Sequence, residues 1–395
     1  MNTTTNLDLP KATEPIATRS CIPDFCNNRL FATLCALLQT ALGSIPEQKV
    51  ELKAEEWWAL HNLAAKQSLL GIVFFAVERL GLGETGQIPK ELYLKWFYEA
   101  EGVKSLNKLH YELSAKLTKL FAEHGEKSVI LKGQANSRLY PDKLIRQTGD
   151  VDVWIGGGRE RIVALLSDMG LQANIRISSH DVAIPKDVFG ADVEVHFDYI
   201  QSLHNPFANR QLRNILSCEI EKSVIVEDGY RVPTGKFALM MQLSHIYKHF
   251  LGQGVGLRQI VDYCVLLRTV SESDRTEVSS KLRVAGLWRF AGALMWVLSE
   301  CLNLDKRYLL CPPDSDRGRV LLREILLDGN FGKYAVRKKG GVFCWWVRNR
   351  LRLIRLLPFD YAEISWFLLE YWVSFLRLMP ARIRAFVRWR RRSLR

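Results

Sequence analysis

Between residues 125 and 200 the apolar period of this chain changes, and that change limits the folds open to it. On either side the apolar residues recur at helical spacing. Within the segment, Ser128–Lys132, Val151–Ile155 and Val193–Phe197 are short, β-branched and alternating. Arg159–Met169 returns to a helical period between the glycines at 156–158 and Gly170. Leu171–Pro185 reads as extended chain with a turn near Ser179. Short strands interleaved with helices build a small mixed sheet with helices packed on one face. The predicted class is α+β: a small mixed β-sheet core flanked by N- and C-terminal helical segments.

Arg29–Leu42, Glu51–Lys66, Ser68–Leu80 and Lys90–His124 read as helices, and helices dominate again beyond Tyr199 apart from a hairpin at Val224–Val232. The predicted divisions are a disordered N-terminus over 1–27, a helical region over 28–124 and the core over 125–200. A mainly helical region over 201–336 and an Arg/Trp-rich amphipathic helical tail over 337–395 follow. Of the net charge of +13, residues 337–395 carry +12, so the basicity belongs to the tail. No stretch reaches the roughly 18 uncharged apolar residues of a spanning helix. The first twenty residues lack the basic start and apolar run of a signal peptide. The eight cysteines show no C-x-x-C pair, which predicts reduced thiols, no structural zinc and a cytoplasmic location.

In Gly149-Asp150-Val151-Asp152-Val153-Trp154-Ile155, strand alternation puts Asp150 and Asp152 on one face and the valines on the other. Two adjacent carboxylates repel each other, and a divalent cation resolves the repulsion. Magnesium suits such a site because it takes a few carboxylates together with phosphate oxygens and water. Two ions about 3.5–4 Å apart serve displacement at phosphorus. Asp192-Val193-Glu194-Val195-His196 offers a third carboxylate from a neighbouring strand. Alone, Asp-x-Asp reads more readily as a strand-edge or turn pair that holds nothing.

The wider pattern is more specific. Leu131-Lys132-Gly133, Leu139-Tyr140-Pro141, Arg146-x-x-Gly149-Asp150-Val151-Asp152 and Val193-Glu194-Val195-His196 occur in order. His245-x-x-Lys248-His249 and Leu257-Arg258-Gln259-x-x-Asp262 continue it. Over about residues 50–270 the chain resembles the uncharacterised bacterial nucleotidyltransferase family of the DNA-polymerase-beta-like superfamily. The resemblance implies Asp150, Asp152 and Glu194 as catalytic, Mg2+-binding carboxylates, and a nucleoside triphosphate as substrate. Asp192 competes for the third position, and the Glu-x-His match favours Glu194. Gly133 is implied to let the triphosphate approach the turn. Gln134 stands where the wider superfamily has serine, so its amide or backbone N–H must substitute.

Arg146 reads as a phosphate contact or a solvated surface arginine, and Lys132 as facing the site or snorkelling outward. His245 and His249 share a helical face. They read as structural histidines or as part of a helix capping the cleft, with His249 reaching the nucleotide. Arg258 and Asp262, four apart, read as a helical ion pair, and His196 as a support for Glu194 or a core-edge imidazole. In the tail, Arg348, Arg352 and Arg355 share a face away from Trp345, Leu353 and Leu356. Arg384, Arg388, Arg391 and Arg395 repeat the spacing opposite Ile383, Phe386 and Val387. Such helices suit an anionic membrane surface, here through residues 342–395. A nucleic acid is the competing partner, and a helical subdomain with a solvated arginine face is the third reading.

The reading these features support is a magnesium-dependent nucleotidyltransferase, peripheral on the inner membrane, acting on an unidentified hydroxyl or phosphate acceptor such as a surface-glycan precursor. The alternatives are a non-catalytic nucleotidyltransferase-fold binding protein and a nucleic-acid-binding adaptor working through the tail.

Overall fold

The computed structural model describes residues 29–44, 50–171, 176–178, 180–199, 203–252, 254–328, 342–373, 377 and 379. The predicted disordered stretch 1–27 lies outside them. The N-terminal region is four helices, α1 (Arg29–Ala41), α2 (Ala54–Lys66), α3 (Leu70–Arg79) and the 34-residue α4 (Lys90–Glu123). Their apolar stripes, including Trp57 and Leu60 of α2 and Trp96 of α4, are fully buried. Gly71 lets α3 touch the core: a Cβ there would stand 2.4 Å from the Ile145 carbonyl oxygen. Because that obstacle is backbone, Gly71→Ala must move α3 or the loop. We expect a loss of about 1–3 kcal/mol, read in chemical denaturation, and an unchanged midpoint would show that the contact is slack.

The core sheet holds β1 (Ser128–Ile130), β2 (Val151–Ile155), β3 (Arg176–Ile177), β4 (Asp181–Ile184) and β5 (Val193–His196) in the order β1-β2-β5-β4-β3. β2 and β5 are parallel, and the other pairs are antiparallel. Between the strands lie α5 (Gln134–Ser137), α6 (Gly158–Asp168) and the one-turn α7 (Lys186–Phe189). Val151, Val153 and Ile155 pack with Leu117 and Phe121 of α4 and Ile162 and Leu166 of α6. The opposite face is covered too, which differs from the one-sided cover predicted. Trp154 sits edge-on to Tyr199, and Tyr199 to Phe237, so the bulky indole draws the later helices over the sheet.

Those helices are α8 (Pro206–Ile220), α9 (Gly235–Leu251), α10 (Leu257–Thr269), α11 (Glu272–Lys281), α12 (Trp288–Leu302) and α13 (Ser315–Asp328), with the hairpin β6 (Val224–Ile225) and β7 (Arg231–Val232) after α8. α9 is buried nearly all round, as its apolar residues on every face require. Then come α14 (Val342–Leu356) and a helix over 361–373.

These last two helices pack into the body through Leu353, Leu356, Phe359 and Ile364. Arg352, expected on a basic outer face, is buried. Its Nε donates to Glu324 of α13 at 2.6 Å, and its Nη atoms donate to the Phe250 and Leu251 carbonyls. A cation at the C-terminal carbonyls of α9 meets the negative end of that helix. Arg348 and Arg355 stay exposed, beside exposed Leu351 and Ile354. Residues 380–395, with Arg384, Arg388, Arg391, Arg395 and Trp389, and the side chains of Trp345 and Trp346 lie outside the described residues. Among the described residues no helix is long and apolar enough to cross a membrane.

Candidate active site

The parallel pairing of β2 with β5 sets Asp152 directly beside Glu194 and Trp154 beside His196. His196 Nε2 lies 2.8 Å from Asp152 Oδ1 and 3.6 Å from Glu194 Oε2. One donor atom from each of the three residues lies within 4.8 Å of the others. Lys132 Nζ reaches Asp152 Oδ1 at 3.1 Å, so this lysine faces the site. Burial pushes the Asp152 carboxyl up, but Lys132 and His196 outweigh it and hold the group down at about 2. Glu194 is pushed up to about 8 by burial, then by the Asp152 and Asp150 carboxylates. Asp150, just before β2, is half-buried and lines the same cleft. Asp192 is exposed, with its side chain accepting from the Lys186 N–H at 3.1 Å.

Asp152 and Glu194 side by side, with Asp150 lining the same cleft, are a donor set that fits a hard divalent cation. His196 holds one Asp152 oxygen in place, as imidazoles and carboxylates do around metal sites.

The turn after β1 depends on Gly133, whose φ of +63° favours glycine. A Cβ there would meet the Asp150 carbonyl at 3.7 Å, an ordinary contact, so the backbone angle and not crowding selects the residue. Gln134 corrects one of the two sequence expectations, that its amide serves the site. Its amide is buried and donates to Asn107 Oδ1 at 3.0 Å, turned towards α4 and away from the cleft. Asn107 Nδ2 donates to the Leu144 and Arg146 carbonyls at 2.8 and 2.7 Å, so one α4 side chain fixes both the turn and the loop before β2.

Arg146 also departs from its predicted role. It lines the cleft, but its Nε and Nη2 donate to Asp262 Oδ1 and Oδ2 at 2.7 and 2.8 Å, and Tyr140 donates to the same carboxylate at 2.7 Å. The fork expected to grip a phosphate is committed to a buried carboxylate. Asp262 therefore pairs with Arg146 across 116 residues, and Arg258 Nη1 donates to the Gln147 carbonyl at 2.9 Å.

Above the sheet, α9 and α10 close a cleft of about 680 Å3, a size that suits a nucleotide-sized ligand. His245 and His249 both line it, with ring centroids 4.3 Å apart. Burial, then Lys132 and Lys248, push His249 down to about 3, so it enters the cleft as a neutral imidazole. Lys248 lines the cleft half-buried, and burial lowers its pKa. At the far end Phe367 lies flat on His204 at 3.8 Å, and Glu363 accepts the His204 and Asn205 N–H groups at 2.6 and 2.9 Å. Asn107 and Phe367 were missed in the sequence because each acts across the fold with no motif around it.

A small mixed sheet with carboxylates on the floor of a polar cleft is the architecture of a nucleotidyltransferase. A family model described as an uncharacterised nucleotidyltransferase matches residues 53–303, and this chain belongs to that family. Membership supports nucleotidyl transfer in general. No curated protein matches the chain. A solved structure, an antigenic nucleotidyltransferase-like protein from Paracoccidioides brasiliensis, is 15% identical with a TM-score of 0.29, over 53% of this chain and 96% of that one.

Proposed function

We propose that this chain is a magnesium-dependent nucleotidyltransferase that moves a nucleoside monophosphate from a nucleoside triphosphate to a hydroxyl or phosphate acceptor. The observation that carries this is the register of β2 and β5, which sets Asp152 beside Glu194 on the floor of the cleft, with Asp150 at its edge. The acceptor oxygen bonds to the α-phosphorus, the bond from that phosphorus to the bridging oxygen breaks, and pyrophosphate leaves. Divalent cations, two in this reading, would be held by Asp150, Asp152 and Glu194 and would neutralise charge on the phosphate oxygens. The proton of an acceptor hydroxyl leaves to solvent, and His196 keeps Asp152 oriented. Lys132 exchanges its Asp152 contact for a phosphate oxygen, and neutral His249 offers a ring nitrogen to the nucleotide.

The test is a thermal-shift titration with each of the four ribonucleoside triphosphates, with and without magnesium, followed by assay of pyrophosphate release. At a hundred times Kd, a bound ligand adds about 2.7 kcal/mol to stability. We expect that gain only with magnesium present, and its loss in Asp152→Asn. A triphosphate that stabilises Asp152→Asn as fully as the wild type removes the carboxylates from the site.

We propose a surface-glycan precursor as acceptor, met at a membrane surface that the exposed Leu351, Ile354, Leu369 and Trp372 on the last two helices would contact. The protein then works on the cytoplasmic side of the inner membrane, and sedimentation with anionic vesicles reads the attachment. If magnesium and triphosphate bind but no pyrophosphate is released with any cell extract, the chain is a non-catalytic binding protein.

A further inference from the structure

Three buried polar side-chain atoms on one wall of the cleft have no hydrogen-bond partner among the described residues: Gln147 Oε1, Thr148 Oγ1 and Arg258 Nε. None of the other partnerless buried atoms belongs to a residue lining this cleft. Burying a polar group without a partner costs free energy, and a cluster of them signals a partner supplied from outside the chain. Arg258 is the most demanding of the three. It is 8% exposed, its one hydrogen bond among the described residues goes to a neutral carbonyl, and Asp262 one turn along α10 is taken by Arg146.

The three residues line one corner of the cleft that the Lys132–Gly133 turn also lines. A Cβ on Gly133 would touch the Asp150 carbonyl, and one on Gly149 would lie 4.0 Å from Arg258 Nη1. The turn itself brings no side-chain donor to this corner beyond Lys132, because Gln134 points to Asn107.

We infer that Thr148 and Arg258, with the Gln147 amide, seat the terminal phosphates of the nucleoside triphosphate. The inference rests on the reading of the cleft as a triphosphate site. A guanidinium presents paired N–H groups to two phosphate oxygens, and it is the side chain best suited to planar anion recognition. The threonine hydroxyl donates to a third oxygen, and the Gln147 amide, turned by half a rotation so that its NH2 stands where Oε1 is now partnerless, donates to a fourth. The three atoms are shielded by their neighbours as the side chains stand. Both residues line the cleft, and the inference requires χ1 of Thr148 and the outer torsions of Arg258 to rotate when the ligand binds.

The test is calorimetric titration of the full chain with ATP and with inorganic tripolyphosphate, both with magnesium, in wild type, Thr148→Val and Arg258→Lys. A hydrogen bond to a charged group corresponds to roughly ten- to hundredfold in affinity. We expect both variants to weaken both ligands by at least that lower factor. Thr148→Val should also melt no lower than wild type, because its hydroxyl has no partner to lose. A structural role would give the reverse, a lower melting temperature with unchanged tripolyphosphate affinity, and would overturn the inference. If wild type binds no nucleoside triphosphate with magnesium, the functional reading falls and takes this inference with it. If wild type binds, Asp152→Asn does not, and Thr148→Val and Arg258→Lys match wild type, the inference alone falls.

Discussion

Replacing Asp262 with alanine will lower the stability of the whole chain by about 3–5 kcal/mol, the usual effect of removing one partner from a buried ion pair. The carboxylate is 4% exposed and Arg146 5%. Without Asp262 the guanidinium is a buried charge whose two strongest hydrogen bonds are gone, and the Tyr140 hydroxyl loses its acceptor. A domain stable by about 5–15 kcal/mol cannot absorb many such losses. The double replacement Arg146→Met with Asp262→Leu should recover much of the stability, since apolar residues of similar volume often serve a buried pair's position as well. Urea denaturation of the three chains measures this. The double variant also separates the two roles open to Arg146. If the arginine only braces the loop before β2, the double variant binds magnesium and triphosphate with unchanged affinity. If it grips a phosphate, the double variant is stable and binds none.

What the sequence disclosed follows the range of the interactions involved. The strands at Val151–Ile155 and Val193–His196 were legible because a period of two shows within five residues, and the same period put Asp152 and Glu194 on definable faces. That β5 lies between β2 and β4, beside Asp152, is a fact of sheet order that no local pattern encodes. Arg146 was legible as part of a motif but not as a partner of Asp262, because 116 residues separate them and helix spacing offered Arg258 as the nearer mate. Gln134 was read as a replacement for a serine, whereas Asn107 in a helix far upstream draws its amide away. Arg352 fits an amphipathic outer face by spacing. Its burial follows from Glu324 and the two α9 carbonyls, which only the packed structure brings to it.

Cutting the chain at two places will separate what its C-terminal part contributes to the fold from what it offers to a partner. Ending it at residue 336 removes Leu353, Leu356, Phe359 and Ile364, all buried. At about 1.5–3 kcal/mol for each side chain taken from water, this loss alone rivals the total stability of an ordinary domain. The same cut removes Arg352 from Glu324 and Asp360 from Tyr247 and Arg289, and it takes Phe367 off His204 at the end of the cleft. The shortened chain should show no cooperative melting transition by circular dichroism. If it melts like the full chain and binds triphosphate as well, the last helices are an appendage and the packing described above is incidental. Ending the chain at residue 379 instead removes seven arginines and Trp389 while keeping Leu353, Leu356, Phe359 and Ile364. That chain should keep its melting temperature and its triphosphate affinity but sediment far less with anionic vesicles. Attraction between arginines and lipid head groups is screened over about 8 Å at physiological salt, so vesicle binding of the full chain should weaken as salt rises. Release should remain partial, because the exposed Leu351, Ile354, Leu369 and Trp372 form an apolar surface that salt does not screen. Equal vesicle binding by the two chains would move the membrane contact from the arginines to that apolar surface. Strong RNA binding by the full chain with no vesicle binding at any salt would give the terminal arginines to nucleic acid.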